Sequence, residues 1–167
     1  GYGGVGIVKI SEGEGWLGKE KIADLDTFLD EMEANHRPFL AMQYLRRVDQ
    51  GDKRIVVING CVIGASLRLP PEGSWLCNAS QGGHSVKAGL TAREEEMARD
   101  LSVRLCAIGV RFFGFDTLVN DQGERMLSEI NALSIGGIRQ IAQQQPAQPI
   151  LETAARELIQ AIDTQLN

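Results

Sequence analysis

The sequence predicts an α+β fold in which helices pack on a largely antiparallel sheet. Two observations support this class: strand-like runs occur in pairs joined by short polar turns, and these pairs alternate with segments of helical periodicity. The strongest turn signal is Asn59-Gly60, which separates a strand at residues 54–58 from a strand at 61–69. Because strands joined by tight turns pair in opposite directions, we expect a sheet that is mostly antiparallel.

The N-terminal part of the chain is predicted to contain two strands and one helix. Residues 5–10 have strand character and directly follow a glycine-rich turn, whereas residues 11–18 form a polar connection. Residues 21–35 carry apolar side chains at three- and four-residue spacing, which predicts a helix. After Pro38, the apolar run at 39–45 predicts a buried strand.

A long segment without periodicity precedes the second predicted helix. Residues 70–89 are rich in Gly, Ser and Asn, and such a segment within a compact domain is usually functional. Thr91 and Glu94 form a capping box that begins a helix at 91–108. The side chains predicted to face inward from this helix are Met97, Leu101, Leu105 and Ile108.

The C-terminal part is predicted to form a hairpin and a final helix. Strands at 110–119 and 124–131 flank the turn 120–123. An amphipathic helix follows at 150–166. Its predicted inward residues are Leu151, Ala154, Leu158 and Ile162.

The composition is that of an ordinary globular protein and indicates neither nucleic-acid nor membrane binding. The 167 residues carry a formal net charge of -5, and 43% of them are hydrophobic. Such a chain lacks a basic surface for phosphates, and no apolar stretch approaches the roughly 20 residues that span a bilayer. Cys61, Cys77 and Cys106 have no CxxC spacing. We therefore expect unpaired thiols, no zinc site and a cytoplasmic location.

The chain begins inside a glycine-rich turn, Gly1-Tyr2-Gly3-Gly4-Val5-Gly6, and has no initiator Met. Such a turn needs a strand on each side, so we interpret the sequence as a piece of a longer protein. Backbone N–H groups of glycine-rich turns can bind phosphates. This turn matches neither the Rossmann nor the Walker pattern, however, and an ordinary turn is the alternative interpretation.

Three residues of the last hairpin are candidate metal ligands. Glu129 and Asn131 are two apart on one strand and therefore share a sheet face. If the hairpin closes symmetrically on Asp121-Gln122, residue 127 faces Asp116, which then shares that face too. Two carboxylates and an amide in an apolar sheet favour Mg²⁺, which takes its other ligands from water and phosphate. A solvated face with scattered acids is the alternative.

Two arginines on the Asn59-Gly60 hairpin are candidate phosphate ligands. Guanidinium groups bind phosphate oxygens through paired hydrogen bonds, and Arg54 and Arg68 lie on adjacent predicted strands. Regular pairing across the turn does not place them opposite each other, so a slip or a bulge is needed to bring them together. Solvent-exposed strand arginines are the alternative. His36 and His84 have no accompanying nucleophile or metal cluster, and we expect surface roles for both.

Taken in order, several segments resemble the bacterial glutathione synthetase family of the ATP-grasp superfamily. The resemblance extends over nearly the whole chain, and its ordered set of motifs is more specific than any single motif. The matching segments are the glycine-rich lid hairpin GYGGVGIVKI, the hinge strand AMQYL, the hairpin GDKRIVVING, the segment SLRLP, the lid loop with Asn78 and Gly82-Gly83, the helix start LTAREEEMA, and the metal-binding hairpin GFDTLV…SEINALS.

The resemblance implies an ATP-grasp fold and a carboxylate–amine ligase that acts through an acylphosphate. Residues 1–45 would be part of the lid lobe, and residues 46–167 would be the C-terminal lobe with the metal and phosphate site. ATP and Mg²⁺, with Mn²⁺ as an alternative, would be the cofactors. The implied residues are Gly3 and Gly4 of the lid; Gln43, Tyr44 and Leu45 at the adenine; Asp52 near the ribose; Asp116, Glu129 and Asn131 at the metal; Arg54 and Arg68 at the transferred phosphoryl group; and Asn78, Gly82, Gly83, Ser134 and Arg139 at the substrate and its lid.

The sequence departs from the family at two places near the implied substrate. Leu76 stands where the family has an Arg, and the segment 134–137 reads Ser-Ile-Gly-Gly where the family is close to Ser-Pro-Thr. These segments contact the substrates in the family, so the departures bear on the identity of the substrates more than on the use of ATP. The leading hypothesis that the resemblance implies is a glutathione synthetase that joins γ-glutamylcysteine to glycine with ATP. Another ATP-grasp ligase, for a protein tail or a dipeptide, and a catalytically silent nucleotide-binding relative are the alternatives. The implied partners are the N-terminal domain of the same protein and, as an open question, further copies of the chain.

Overall fold

The computed structural model describes residues 6–17, 20–71, 83–133 and 135–166. It divides into two compact units, Gly1–Arg46 and Arg47–Asn167. The boundary lies one residue beyond the division predicted from the sequence. In the described part of the chain, no helix combines the length and the apolar composition that crossing a bilayer requires.

The first unit contains a four-stranded sheet and one helix. The strands are ordered β3-β2-β1-β4, and β1 and β4 run parallel while the other pairs are antiparallel. The elements are β1 (Gly6–Ser11), β2 (Glu14–Leu17), β3 (Glu20–Ile22), α1 (Leu25–Ala34) and β4 (Phe39–Gln43).

Three sequence predictions in this unit are wrong. The strand predicted to be buried at residues 39–45 ends at Gln43 and has no fully buried residue, and Leu40 is 42% exposed. The polar connection at residues 11–18 contains strand β2, because Glu12 and Gly13 both adopt positive φ and close a two-residue hairpin. The helix begins at Leu25 rather than near residue 21. Asp24 stops it there, because its side chain accepts a hydrogen bond from the Thr27 N–H and caps the helix.

The second unit is a five-stranded antiparallel sheet with helices on both faces. Its strands are ordered β7-β6-β5-β8-β9, so β5 is central. The elements are β5 (Asp52–Ile58), β6 (Cys61–Leu69), β7 (His84–Ala88), α2 (Ala92–Ala107), β8 (Phe112–Val119), β9 (Arg125–Asn131), α3 (Ile138–Gln144) and α4 (Ile150–Leu166). The predicted α+β class with a largely antiparallel sheet is confirmed.

Alternation along β5 builds a separate core on each face of this sheet. Ile55 and Val57 point towards α2 and pack with Phe113 and Phe115, all fully buried. Val56 and its neighbours on the other face pack with residues of α3 and α4. The central strand is therefore apolar on both faces along most of its length, and its charged residues gather at its N-terminal end.

The predicted turns that position these strands are confirmed. Asn59 and Gly60 have φ of 51° and 79°, the conformation that a two-residue hairpin turn requires. Thr91 and Glu94 form the predicted capping box at the start of α2.

The structure differs from the predictions for this unit at four points. The unpatterned segment 70–89 contains β7, which pairs with β6, and α3 was not predicted. Ile108, expected to face inward from α2, is 73% exposed because it lies at the end of the helix. The final helix is rotated from the predicted face: Ala154 and Leu158 pack inward as predicted, but Ile150 and Ala161 are buried in place of Leu151 and Ile162, which are exposed.

Candidate functional site

Arg54 and Arg68 share a face of the second sheet because the β5–β6 hairpin contains a bulge. The register next to the turn would set Arg54 opposite residue 65 and direct Arg68 to the other face. A shift at residues 56/57 sets Arg54 opposite Ser66 instead. Arg68 is two residues beyond Ser66, so it lies on the same face as Arg54. The slip or bulge that we expected to be necessary for bringing the two arginines together is therefore present.

Both arginines donate to a single carboxylate. Asp116 lies directly opposite Arg54 on β8, and its Oδ1 and Oδ2 accept from Arg54 Nε at 2.7 Å and Nη2 at 2.6 Å. Arg68 Nη2 donates to the same Oδ2 at 2.8 Å. The pKa of Arg54 is raised, first by the hydrogen bonds to Asp116 and further by the charges of Asp52 and Glu129. The two guanidinium groups thus form a cationic cluster organised by one acid.

Asp52, the predicted ribose residue, belongs to this cluster. It lies opposite Arg68 and accepts a hydrogen bond from Arg68 Nη2. Burial and the nearby charge of Asp116 raise the pKa of Asp52 to about 6, although both arginines oppose the shift. Asp52 Oδ1 and Arg68 Nε are buried and have no hydrogen-bond partner. An acceptor and a donor in this cluster therefore remain unsatisfied, which is costly unless a bound group or water completes them.

The hairpin of β8 and β9 sets Asp116 directly opposite Glu129. The predicted partner of Asp116, residue 127, is wrong: Leu127 pairs with Thr117, and the register then shifts by one residue at Ser128. Without that shift, Ser128 would face Asp116 and Glu129 would be directed to the other face. The bulge therefore places Asp116 and Glu129 on the same sheet face, as predicted, although the strands pair in a different register from the predicted one.

Asn131 completes the predicted metal set on the same face. It pairs with Gly114, which is two residues from Asp116 on β8, and its Nδ2 is buried without a hydrogen-bond partner. Within the described residues, no three His, Cys, Asp or Glu side chains cluster as metal ligands. Two carboxylates and one amide oxygen nevertheless suit a hard divalent cation that takes its remaining ligands from water and phosphate. The donor set therefore fits a metal held by few protein ligands.

A buried ion pair lies on the opposite face of the same strands, and the sequence analysis did not find it. Lys53 Nζ donates to Glu94 Oε2 at 2.7 Å and to the Gly89 carbonyl at 2.9 Å. Glu94 is fully buried, and its Oε1 accepts from Thr117 Oγ1 at 2.7 Å. Burial opposes ionisation of Glu94, but hydrogen bonds from Lys53 and the two threonines, Thr91 and Thr117, hold its pKa below the ordinary value. A signal was present in the sequence: Ile55 and Val57, which share a strand face with Lys53, are apolar. A lysine on an apolar face is expected to be buried, and a buried ammonium group needs a partner.

Arg125 is a second residue that the sequence analysis did not find. Its guanidinium donates to three carbonyl oxygens, those of Gln50 at 3.0 Å, Gly51 at 2.8 Å and Thr117 at 3.1 Å. Gly51 has a φ of 79°, and a side chain there would meet the Arg68 carbonyl at 2.6 Å. Arg125 and this glycine therefore fix the turn that leads into Asp52.

The predicted hinge residues lie at the end of β4 in the first unit. Gln43 is the last residue of β4, and Tyr44 and Leu45 follow it. The Tyr44 ring stacks on Trp16 with 4.5 Å between ring centroids, and the Tyr44 N–H donates to the Ile10 carbonyl at 2.9 Å. The amide of Tyr44 is thus engaged within the sheet. An adenine contact would have to use other backbone groups of this segment.

The remaining predicted site residues are dispersed or not described. Gly83 immediately precedes β7, and Arg139 is exposed in the first turn of α3. His36 and His84 are both exposed, as expected of surface residues. The residues that lie outside the described part of the chain are Gly3, Gly4, Asn78, Gly82 and Ser134.

Comparison with known proteins gives the family. The model of the prokaryotic glutathione synthetase ATP-grasp domain matches residues 1–146. The chain belongs to this family. Glutathione synthetases from Prochlorococcus marinus and Gloeobacter violaceus are 32% and 37% identical to it over 141 and 143 residues. These alignments cover 84% and 83% of this chain but 42% and 43% of the relatives, so the chain spans less than half their length.

Solved structures show the ATP-grasp fold. The ATP-grasp ligase PsnB, in complex with a minimal precursor, Mg and ADP, has a TM-score of 0.54 at 16% identity, covering 85% of this chain and 42% of that one. The D-cycloserine synthetase DcsG has a TM-score of 0.51 at 15% identity, covering 75% of this chain and 42% of that one. ATP-grasp ligases use ATP together with a divalent metal ion. The predicted ATP-grasp fold is therefore confirmed.

Proposed function

We propose that the chain is the ATP-binding part of an ATP-dependent carboxylate–amine ligase, and specifically of a glutathione synthetase that joins γ-glutamylcysteine to glycine. The observation that carries the proposal is the convergence of Arg54 and Arg68 on Asp116, with Glu129 directly opposite on the same sheet face. Its support is that the whole arrangement lies in a chain of the glutathione synthetase ATP-grasp family.

In the proposed reaction, a substrate carboxylate attacks the γ-phosphate of ATP and gives an acylphosphate and ADP. The amine of the second substrate then attacks the acyl carbon, releases phosphate and forms the amide. Phosphoryl transfer depends mainly on positioning and on neutralising charge. Arg54 and Arg68 would meet the transferred group, and the unpartnered Arg68 Nε is an available donor.

Asp116, Glu129 and Asn131 would hold the divalent cation, Mg²⁺ or alternatively Mn²⁺. When bound, this cation would neutralise charge on the phosphates of the nucleotide. Because Asp116 already accepts three hydrogen bonds from the arginines, it would hold the metal site and the guanidinium groups close together. One acid would then align both sources of positive charge with the phosphate chain.

The remaining assignments are part of the same proposal. Residues 1–45 would contribute part of the lid lobe, and residues 46–167 would form the C-terminal lobe. Asp52 would lie near the ribose, and residues 43–45 would lie near the adenine. A domain outside this chain would bind the peptide carboxylate, which agrees with the share of the relatives that the chain covers. Cys61 and Cys106 are free thiols, which supports a cytoplasmic location.

The test is an ADP-release assay on the full-length protein with a panel of γ-glutamyl peptides, dipeptides and single amino acids. We expect ADP only when γ-glutamylcysteine and glycine are both present. The isolated 167-residue chain is expected to turn over negligibly, because it would lack the groups that present the substrate carboxylate.

Controls separate the proposal from its alternatives. Glu129→Gln should abolish most ADP release, whereas Glu124→Gln, an exposed residue paired with Arg93, should not. Activity only with glutamate and a peptide tail would replace the glutathione synthetase proposal with a protein-tail ligase. If none of the substrate pairs gives ADP release, the chain would belong to a catalytically silent relative.

A further inference from the structure

The Lys53–Glu94 ion pair lies directly behind the cluster of Arg54 and Asp116. Arg54 and Asp116 are cross-strand partners on β5 and β8, and the next cross-strand pair is Lys53 with Thr117. Successive pairs of an antiparallel ladder point to opposite faces. The side chains of Lys53 and Thr117 therefore leave the sheet on the α2 face, from the same backbone that carries the arginine and the aspartate.

Glu94 of α2 joins these two strands from behind. One carboxylate oxygen accepts from Lys53 of β5, and the other accepts from Thr117 of β8. The side chains of Lys53 and Glu94 are 8% and 0% exposed, so solvent does not compete for these bonds. A single side chain thus fixes the relative positions of β5 and β8 at the level of the candidate site.

The same network holds the segment that precedes α2. Lys53 also donates to the Gly89 carbonyl, one residue after β7, and Glu94 accepts from the backbone N–H of Thr91 at 2.8 Å. Strands β5 and β8, the end of β7 and the start of α2 are thereby tied to one carboxylate. A shift of α2 would be transmitted to the backbone of both Arg54 and Asp116.

We propose that Glu94, acting through Lys53 and Thr117, is a positioning residue that holds Arg54 and Asp116 in the geometry required for phosphoryl transfer. The inference rests on the proposed function. A buried ion pair is weak evidence of stabilisation, because apolar residues of similar size often replace such a pair without loss of stability. Positioning and stability can therefore be separated by experiment.

The main variant is Lys53→Met/Glu94→Leu/Thr117→Val, which removes the whole network and leaves none of its buried polar side chains unpaired. It should still fold, with a melting temperature lowered by several degrees at most, because the Glu94 half of the α2 capping box and the donor to the Gly89 carbonyl are lost. Its kcat for ADP formation should fall by about 10- to 100-fold with a smaller change in KM, because misplacement of catalytic groups reduces transition-state stabilisation. The matched control is Asp100→Asn/Arg104→Gln, which removes an exposed ion pair of α2 and should leave kcat unchanged.

A second readout does not depend on the substrate. Arg54 Nε donates to Asp116 Oδ1 at 2.7 Å, so its N–H should exchange slowly in ¹⁵N NMR spectra of the chain, and Arg54→Lys assigns the resonance. The triple variant should show faster exchange of this N–H than the wild type. Thr117→Val alone, which preserves side-chain shape, should show a smaller change in the same direction and keeps the test valid if the triple variant does not fold.

The outcomes decide between positioning and a purely structural role. A triple variant that folds and has wild-type kcat and unchanged Arg54 Nε–H exchange would overturn the inference. The same holds for a Thr117→Val variant with unchanged kcat and exchange when the triple variant is unfolded. If the wild-type protein releases no ADP with any substrate pair, the proposed function fails, and the Arg54 Nε–H measurement alone still decides the positioning role.

Discussion

Asp116 lies directly opposite Glu129 because β9 contains one extra residue, Ser128, in a bulge beside this pair. The pair beyond the bulge, Thr117 with Leu127, follows a register that would otherwise direct Glu129 to the α2 face. The candidate metal site therefore depends on a local irregularity of the sheet. Two carboxylates that face each other on adjacent strands repel, and a bound cation would relieve that repulsion.

The first prediction concerns metal binding by this pair. Glu129→Gln should weaken Mn²⁺ binding to the ADP-loaded chain by at least about tenfold. Substitution of residues that only hydrogen-bond to metal ligands already lowers metal affinity by about that much. The measurement is paramagnetic broadening of backbone amides around Asn131 during a Mn²⁺ titration. Glu124→Gln, on the same hairpin but exposed, is the control. Equal broadening in both variants would exclude Glu129 as a ligand.

The second prediction concerns the paired hydrogen bonds of Arg54. Arg54→Lys keeps the charge but cannot reproduce the two bonds to Asp116 at 2.7 and 2.6 Å. We expect the free energy of unfolding to fall by about 1.5–3 kcal/mol, measured by urea denaturation. Arg104→Lys, in an exposed ion pair with Asp100, should change it by less than about 0.5 kcal/mol. Similar losses of unfolding free energy in both variants would show that the paired hydrogen bonds of Arg54 do not stabilise the fold more than an exposed ion pair does.

The third prediction concerns the pH dependence of stability through Asp52. Its pKa is raised from 3.8 to about 6 in the folded chain. The folded state therefore binds the proton more tightly, and this contribution is fully present below pH 4 and lost as the pH rises through 6. Relative to Asp52→Asn, the wild type should lose up to about 3 kcal/mol of stability between pH 4 and pH 7.

Denaturation of both proteins across this pH range checks the direction as well as the size. Asp49→Asn, three residues earlier and exposed, controls for the loss of one negative charge. A stability difference between the wild type and Asp52→Asn that is constant with pH, or that moves in favour of the wild type, would contradict the prediction.

The fourth prediction concerns the close approach of α3 to the sheet at Gly64. A Cβ at this position would lie 2.6 Å from Ile141 Cγ2, and Ile141 is fully buried. Gly64→Ala should therefore reduce the free energy of unfolding by about 1–3 kcal/mol. Gly136→Ala is the matched control, because no atom lies within 4 Å of its added Cβ. Thermal or urea denaturation measures both variants. If Gly136→Ala destabilised the protein more than Gly64→Ala, the contact between Gly64 and Ile141 would not be tightly packed.

Local signals in the sequence were sufficient for the class of the fold and for several boundaries. Asn59-Gly60 encodes its turn through two positive φ angles, and Thr91 with Glu94 encodes the start of α2 through mutual hydrogen bonds. Such signals involve residues close in the chain, so they act before tertiary contacts form. The short strand β7 lacked any local signal, because it is stabilised by its pairing with β6.

The orientation of the last helix shows where periodicity is insufficient. The apolar residues of α4 cover a broad arc, because the set 150, 154 and 161 and the set 151, 154, 158 and 162 both have helical spacing. The structure buries the face with Ala154 and Ala161, whose small side chains allow the helix to approach the sheet. Leu151 and Ile162 then remain on the outside. This choice depends on the shape of the surface below the helix, which no local pattern contains.

The sequence by itself determined which residues could supply the chemistry: two arginines, two acids and an amide on strands of known period. Only the tertiary structure decided that they meet, because the faces of neighbouring strands are set by register, and here the bulges at residues 56/57 and at Ser128 set it. It also decided that Lys53 is buried against Glu94, which is 41 residues away in the chain. The physical reason is that alternation acts within one strand, whereas register and burial arise from contacts between distant segments.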